Sequence, residues 1–273
     1  MIKIERTRFF LLRLITIILL SITPIFIEFS SVFWFYTTIV ILSLVVARLF
    51  IFPTFLKLPF RLTYYKIFST LLVLYGILLV VATLARYYNM SSESIDVSYY
   101  YSAIKQLAVF KVPRIWDIPS RYVWGDHFEP ILLLFVPFYW LKPDASILML
   151  IQTATVISGI IPLYKIVLQK FNNRNLALAL SFAYLLFGGL QMGYAYGFHP
   201  IVLFPTLFFW MYYFFEKKSI AGYLVFLLLT LAIKEEAALI LFAFGLYTLI
   251  FRHRLGFSLL TLSGSFLWYW LCF

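Results

Sequence analysis

The sequence predicts an all-α polytopic membrane protein with about nine transmembrane helices and one interfacial or re-entrant segment. Of its 273 residues, 64% are hydrophobic and only 12% are charged, about half the charged fraction of an ordinary soluble domain. Aromatic residues, which populate lipid-facing surfaces and membrane interfaces, make up 21%. This composition excludes a soluble globular protein. It also contains no basic soluble module that would bind nucleic acid.

Nine apolar runs are assigned as spans, since the shorter ones can cross a bilayer that is locally thinned. They cover residues 9–27, 31–52, 67–85, 145–168, 176–196, 200–215, 219–233, 237–251 and 257–273. The run 130–141 is too short to cross, because a spanning helix needs about 20 residues. We therefore assign it as the interfacial or re-entrant segment. The first run lacks a small-residue cleavage site and is interpreted as a retained span.

The positions of Lys and Arg predict how the chain is oriented. With the N-terminus in the cytoplasm, the inner loops carry 15 basic residues against Glu5 and Glu216, while the outer loops carry seven basic and nine acidic residues. If 130–141 crossed the membrane, Lys165, Lys170 and Arg174 would move outside and weaken this bias. The positive-inside rule therefore favours a multi-pass protein of the cell membrane with a cytoplasmic N-terminus.

One long polar stretch, residues 86–129, forms the predicted outer loop. Within it, Val97, Tyr101, Ile104 and Ala108 recur at helical spacing. This pattern predicts an amphipathic helix over 97–109 that lies on the membrane surface.

The apolar stretch 219–251 is interrupted by three consecutive charged residues, Lys234, Glu235 and Glu236. As a single helix it would extend roughly 50 Å, which exceeds a hydrocarbon core of about 30 Å. Basic residues flank both of its ends. We therefore predict a helical hairpin whose outer tip carries the charged triplet, at a depth where unpaired charges are costly.

Polar residues on the predicted outer face form three groups that are candidates for a functional site. They are Asp96 in the loop helix, then Asp126, His127 and Glu129 at the end of the loop, and finally His199 together with Lys234, Glu235 and Glu236. Their convergence on one face favours a site.

Each group also has a purely structural interpretation. Asp96 could cap the loop helix, and residues 126–129 could be an ordinary solvated loop end. His199 could be a polar helix terminus before Pro200, and Lys234 could simply neutralise one of the two following glutamates. Arg121 is interpreted first as a partner in a loop salt bridge.

The segments His127-Phe128-Glu129-Pro130 and Phe198-His199-Pro200, followed by Lys234-Glu235-Glu236, resemble a family of predicted membrane proteins named domain of unknown function 2079. That family is similar to the GT-C glycosyltransferases, which include protein mannosyltransferases and lipid A aminoarabinose transferases. The resemblance covers roughly residues 67–273 and leaves residues 1–66 as an N-terminal two-span extension. It implies a GT-C-like transmembrane domain, with the outer loop at 86–129, that is incomplete at its C-terminus.

The resemblance further implies a reaction: a sugar passes from a polyprenyl-phosphate carrier to an acceptor on the extracytoplasmic side. In these enzymes an acidic residue of the first outer loop acts as catalytic base or positions a metal ion, and Asp96 corresponds to it; we assign Asp96 as the base. Glu235 is the second residue assigned to the chemistry, in which Glu235 or Glu236 would orient Lys234. The residues implied in binding the sugar-carrying lipid are His127, Lys234, Arg121 and His199.

Several departures from the family pattern concern the phosphate and acidic ligands. The aminoarabinose transferases have His-Phe-Glu-Lys-Pro, in which the lysine meets the lipid phosphate, whereas here Glu129 is followed directly by Pro130. Lys234 or Arg121 would have to replace that lysine. The position of a second loop aspartate is occupied by Tyr101, and Phe198-His199-Pro200 lacks its flanking acids.

Three functional interpretations remain at this point. The first is a glycosyltransferase in which Asp126 and Glu129, with His199, could hold a divalent cation. The second is a transporter or permease with an intramembrane Lys-Glu-Glu path. The third is a non-catalytic scaffold of the same fold. The expected partners are membrane lipid, a polyprenyl-phosphate-linked sugar and an acceptor of unknown identity.

Overall fold

The computed structural model describes residues 61–89, 94–115, 118–195 and 197–272. The predicted spans 9–27 and 31–52, and most of the predicted extension 1–66, lie outside these ranges. Throughout the described ranges the secondary structure is helical, apart from one isolated antiparallel bridge between Arg114 and Tyr122. The prediction of an all-α protein is therefore confirmed for this part of the chain.

Twelve α-helices and two short 3₁₀ helices make up the described ranges. The first six α-helices are α1 Arg61–Tyr88, α2 Ser94–Leu107, α3 Val123–Asp126, α4 Val136–Leu141, α5 Ser146–Ser158 and α6 Ile160–Phe171. The remaining six are α7 Arg174–Leu185, α8 Gly188–Ala195, α9 Phe204–Glu216, α10 Ile220–Leu231, α11 Glu235–Arg252 and α12 Leu255–Cys272. The 3₁₀ helices Pro130–Phe135 and Pro200–Leu203 lead directly into α4 and α9.

Three helical hairpins, α6/α7, α9/α10 and α11/α12, form most of the bundle. Each turn contains one residue in the left-handed conformation: Asn172 with φ 47°, Lys218 with φ 56° and His253 with φ 49°. A left-handed residue ends a helix within one step, so the following helix can return alongside. In the first hairpin, the side chain of Asn173 accepts hydrogen bonds from the backbone of Asn175 and Leu176 and caps α7.

Helix α1 packs antiparallel to α5. The hydroxyl groups of Thr83 and Thr153 lie 3.1 Å apart in the buried interface, and Tyr87 donates a hydrogen bond to Asp144 at the start of α5. At the far end of α5, Gly159 permits close helix packing, because a Cβ there would lie 2.6 Å from the Tyr184 hydroxyl oxygen. The buried Tyr184 hydroxyl instead donates to the carbonyl of Val156.

The charged residues are sorted to the two ends of the bundle. Helix α9 begins next to the segment that contains His199 and ends at Glu216, and α11 begins at Glu235 and ends at Arg252. With 18 residues, α11 is about 27 Å long, close to the thickness of a hydrocarbon core. The predicted break at Lys234 is present, because α10 ends at Leu231 and α11 starts at Glu235.

Four described segments are long and apolar enough to cross a membrane: Ser69–Tyr88, Ser146–Phe171, Arg174–Gly193 and Leu255–Cys272. Shorter apolar helices occupy Pro130–Leu141, Pro200–Glu216 and Ile220–Leu231. These helices agree with a membrane protein, while the number of nine spans and the orientation stay predictions.

The helix predicted over 97–109 is present as α2, and its position at the membrane surface stays a prediction. Helix α2 turns its apolar face into the protein: Val97 and Ile104 are buried in a core that also contains Leu132, Phe135 and Phe198. The segment 130–141, whose apolar side chains need a partner, supplies one face of this core. Packing α2 onto this segment removes apolar side chains of both from water and stabilises them.

Candidate functional site

The three predicted groups of polar residues are brought to the same end of the bundle. Helix α2, the loop 127–129, the turn 197–199 and the connection 232–234 all border the core in which Tyr100, Phe198 and Ile233 are buried. The backbone N–H of Ile131 donates to the carbonyl of Ala232 at 2.9 Å and ties two of these segments together. We call the residues Asp96, His127, Glu129, His199, Lys234 and Glu235 the acid–histidine cluster.

Asp96 and His199 form the first acid–imidazole pair of this cluster. Nε2 of His199 lies 3.3 Å from Oδ2 of Asp96, and both side chains are partly exposed. Asp96 lies in the first turn of α2, where the helix dipole also favours a carboxylate. The Tyr100 ring packs edge-on against His199, with 5.8 Å between ring centroids. The pair is therefore partly accessible to solvent, and the Tyr100 ring packs against its imidazole.

Gln152, which the sequence patterns did not single out, fixes the backbone that carries His199. Its side-chain amide donates to the carbonyl of Gly197 at 2.8 Å, and its amide oxygen accepts from the N–H of His199 at 2.8 Å. Gly197 has a φ of 100°, which favours glycine. The signal in the sequence that could have identified this residue was a glutamine inside an apolar span, because a buried amide needs hydrogen-bond partners.

His127 and Glu235 form the second acid–imidazole pair. Nδ1 of His127 lies 2.9 Å from Oε1 of Glu235, and the backbone N–H of Phe128 donates to Oε2 of Glu235 at 3.0 Å. Both carboxylate oxygens are engaged in holding the 127–128 segment. Glu235, predicted as catalytic, thus contacts His127 and the Phe128 backbone, and its role in the chemistry stays a prediction.

Glu129 is the most deeply buried acid of the cluster, with 1% of its surface exposed. Tyr100 donates a hydrogen bond to Oε1 at 3.1 Å, while Oε2 is buried without a hydrogen-bond partner in the described part of the chain. Burial raises the pKa of Glu129 to about 8; the Tyr100 hydrogen bond and Lys234 oppose this change, and Glu235 and Asp126 add to it. Glu129 is thus a largely protonated carboxyl group near neutral pH.

Lys234 lies between α10 and α11, with 19% of its side chain exposed. Its Nζ is 3.6 Å from Oε1 of Glu236, whose side chain is mostly exposed. Of the two glutamates expected to orient Lys234, Glu236 is the one that pairs with it, since Glu235 is held by His127. A weak, solvent-exposed partner leaves the ammonium group able to meet another anion.

Comparison with known proteins identifies the family. The family described as "Predicted membrane protein (DUF2079)" matches residues 117–273, more than half of the chain. The chain belongs to the DUF2079 family. No curated protein and no solved structure matches it.

The DUF2079 match contains most of the acid–histidine cluster, from His127 to Glu235, and also contains Gln152. Asp96 and Tyr100 lie before it, so the matched region is shorter than the expected 67–273. The family description supports a membrane protein and assigns no activity.

The remaining predicted residues of this DUF2079 protein lie at the rim. Arg121 and Asp126 form an exposed salt bridge of 3.1 Å, as the structural interpretation of Arg121 expects. No group of three His, Cys, Asp or Glu side chains in the described ranges is placed to hold a metal ion. Asp126 is paired with Arg121 and Glu129 with Tyr100, so the predicted metal ligands do not converge.

Proposed function

We propose that this protein is a membrane glycosyltransferase of the GT-C type, which moves a sugar from a polyprenyl-phosphate carrier to an extracytoplasmic acceptor. The observation that carries the proposal is the acid–histidine cluster itself. Two acid–imidazole pairs, Asp96–His199 and His127–Glu235, lie at the end of an apolar bundle together with Lys234. Transfer of a glycosyl group from a lipid phosphate needs a base and a cation, and this cluster offers both.

The base of the proposed reaction is the Asp96–His199 pair. The oxygen of the acceptor hydroxyl bonds to the anomeric carbon of the sugar while the bond from that carbon to the phosphate oxygen breaks. The hydroxyl proton passes to the Asp96–His199 pair, and the bonding electrons leave with the polyprenyl phosphate. Partial exposure of both side chains supports access for the acceptor.

Lys234 and His127 are proposed to hold the leaving phosphate. The ammonium group of Lys234 replaces the lysine that is missing between Glu129 and Pro130, and Glu235 orients the imidazole of His127. Arg121, an exposed residue at the rim, would meet the phosphate during entry. Because Glu129 is largely protonated near neutral pH, its carboxyl does not cancel the charge of Lys234.

Exposed apolar side chains near this end support binding of a polyprenyl tail. Ile95 on α2, Leu134 in the 130–141 segment and Ile201 in the second 3₁₀ helix are all exposed. An isoprenoid chain would cover such side chains while its phosphate reaches the cluster.

A transfer assay with membranes that contain the protein tests this proposal. The probes are undecaprenyl phosphates that carry radiolabelled mannose, glucose or galactose, with the membrane glycans and proteins as acceptors. Removing a general base typically slows a reaction by 10²–10⁴-fold. We therefore expect Asp96→Ala to abolish measurable transfer and His199→Ala to slow it by at least tenfold.

The matched control is Asp144→Asn. The Asp144 carboxylate lies at the same end of the bundle as the acid–histidine cluster and accepts a hydrogen bond from the backbone N–H of Ser146. The side-chain oxygen of asparagine can accept the same hydrogen bond. This variant should therefore transfer sugar at the wild-type rate. Transfer that is unchanged in Asp96→Ala would refute the assigned base. Absence of wild-type transfer with all three donors would count against the enzyme.

The second candidate is a proton-coupled transporter, which the buried Glu129 carboxyl favours. A buried acid that is protonated near neutral pH could carry a proton. Proteoliposomes with an internal pH dye separate the candidates: a transporter shows proton flux that Glu129→Gln removes, while the enzyme shows none. A scaffold would show neither flux nor sugar transfer.

A further inference from the structure

The opposite end of the bundle holds a second cluster, formed by Lys170, Glu216, Arg252, Arg254 and Tyr212, which we call the Glu216 cluster. Glu216 Oε1 lies 3.1 Å from Lys170 Nζ and 2.9 Å from the Arg252 guanidinium. Arg254 lies 3.7 Å from the other carboxylate oxygen. Lys170 also bonds the Tyr212 hydroxyl. Three separate segments, at the ends of α6, α9 and α11, thus contribute charges to one site.

The Glu216 cluster carries more positive charge than its carboxylate can balance. Three cations surround one anion, with side chains between one fifth and one third exposed. Their N–H donors outnumber the acceptors that the described residues provide, which are the carboxylate, the hydroxyl groups of Tyr212 and Tyr247 and the carbonyl of Phe215. Lys170 also lies over the ring of Tyr212, and both arginines lie over the ring of Phe215. The N–H groups that remain exposed leave the cluster capacity for an anion.

The ends of helices α6, α9 and α11 account for only part of this charge. Helix C-termini attract cations, and Arg254 satisfies one such carbonyl, that of Phe215. The attraction amounts to about half a charge per helix and falls off within one turn. A partner with full negative charge would interact more strongly with the exposed parts of Lys170 and the two arginines.

Exposed apolar side chains lie next to residues of the cluster in the sequence. Phe171 and Phe251 are 61% and 68% exposed and directly follow Lys170 or precede Arg252, and Leu255, which follows Arg254, is 60% exposed. In a membrane protein such side chains face acyl chains. The surface therefore combines a cationic site with adjacent apolar area, the chemistry of a phospholipid.

We propose that the Glu216 cluster binds the headgroup phosphate of an anionic phospholipid, whose acyl chains pack on Phe171, Phe251 and Leu255. The excess of basic residues at this end agrees with a location in the cytoplasmic leaflet, where anionic lipids attract such residues. This site is independent of the proposed glycosyl transfer, because it lies at the other end of α9 and α11.

Native mass spectrometry of the detergent-solubilised full chain tests the proposal. Equimolar dioleoylphosphatidylglycerol and dioleoylphosphatidylcholine are supplied, and the ratio of the two lipids retained by the protein is measured. We expect the wild type to retain the anionic lipid preferentially. Each basic residue near a membrane surface contributes about 1 kcal/mol, so Lys170→Gln and Arg254→Gln should each lower the preference about fivefold.

Two further variants separate lipid binding from a purely structural network. Glu216→Gln leaves three cations without their internal anion and should raise the preference for the anionic lipid. Lys111→Gln removes an exposed basic residue far from the cluster and should leave the preference unchanged. A network that serves only to hold Glu216 predicts the same lipid ratio in every variant.

Equal retention of the two lipids by the wild type would overturn the proposal, as would an unchanged preference in both Lys170→Gln and Glu216→Gln. A final arm adds glycerol 3-phosphate, which has the phosphate without acyl chains. Displacement of the anionic lipid by an equal concentration of this soluble phosphate would assign the site to a soluble ligand instead.

Discussion

The two ends of the bundle hold clusters of charged residues that differ in composition. The acid–histidine cluster contains two acid–imidazole pairs, one lysine and a buried Glu129 with an unsatisfied oxygen. The Glu216 cluster instead surrounds one carboxylate with a lysine and two arginines. Helices α9 and α11 extend from one cluster to the other. Each of these helices therefore has a different set of charged residues at its two ends.

This difference in residue type indicates which end of the bundle can change its protonation state. Carboxyl and imidazole groups gain and lose protons under physiological conditions, whereas guanidinium groups stay charged. The acid–histidine cluster is therefore the end whose residue types suit the proposed proton transfer, while the Glu216 cluster offers a fixed electrostatic field. The proposed reaction at the first end and the proposed lipid site at the second are both compatible with this contrast.

The largest effect that we expect is on the pH dependence of stability, through Glu129→Gln. Between pH 4.5 and about 8, Glu129 is protonated when folded but ionised when unfolded, so the wild-type free energy of unfolding falls as pH rises. Glutamine cannot ionise. Above pH 8 the variant should exceed the wild type by on the order of 4 kcal/mol, measured by thermal unfolding in detergent from pH 5 to 9.

The control for this experiment is Asp144→Asn, because hydrogen bonds to Ser146 and the charge of Lys142 outweigh burial and lower the pKa of Asp144. Its stabilising contribution is present at neutral pH and is lost only in acid. Both variants should therefore approach the wild type in acid and differ from it at higher pH, where Glu129→Gln is more stable than the wild type and Asp144→Asn is less stable. If the free energy of unfolding depended on pH in the same way in Glu129→Gln and the wild type, the pKa of Glu129 would not be raised by folding.

A smaller loss is expected when the Glu216 cluster loses its anion. Glu216→Ala leaves three cations facing each other in a partly desolvated site, and removing one partner of a buried ion pair is strongly destabilising. Partial exposure reduces the penalty to about 3 kcal/mol. Thermal unfolding in neutral detergent measures it.

Arg121→Ala is the matched comparison for Glu216→Ala, since its salt bridge to Asp126 is exposed. Exposed ion pairs contribute about 1 kcal/mol or less. Equal losses in the two variants would contradict the distinction between a surface pair and a partly buried network.

The sequence predicted the helices and the convergence of the cluster through simple physical signals. Long apolar runs fixed the class, and the 33-residue apolar stretch at 219–251 could not be one span, which predicted the break at Lys234. Charge asymmetry predicted that Asp96, His199 and Lys234 share one end. These signals depend on helix length and on the energetic cost of placing charges in lipid. Both can be evaluated from the order of residues in the sequence, without knowing how distant segments pack.

Pairing within the cluster could not be predicted in the same way. Which of Glu235 and Glu236 meets His127, and whether α2 faces lipid or protein, depends on packing between segments far apart in the sequence. The apolar face of α2 at Val97 and Ile104 fits either environment. Only the position of Leu132 and Phe135 opposite that face decides between them.

The smallest expected effect concerns Gln152, which lies in the apolar helix α5 and hydrogen-bonds the turn that carries His199. Gln152→Leu leaves the Gly197 carbonyl and the His199 N–H without their buried partner and should cost about 2 kcal/mol of stability. The turn then no longer holds His199 at Asp96. We expect kcat for sugar transfer to fall about tenfold, with little change in KM, because the base is displaced while the phosphate ligands are retained.

Thr153→Val is the matched control, because it removes a buried hydrogen bond to Thr83 from the neighbouring position of the same helix. It should lower stability by about 1 kcal/mol without changing kcat. If both variants reduced kcat in proportion to their loss of stability, Gln152 would be an ordinary buried amide. A loss of kcat confined to Gln152→Leu would instead show that a residue within the membrane span sets the geometry of the Asp96–His199 pair.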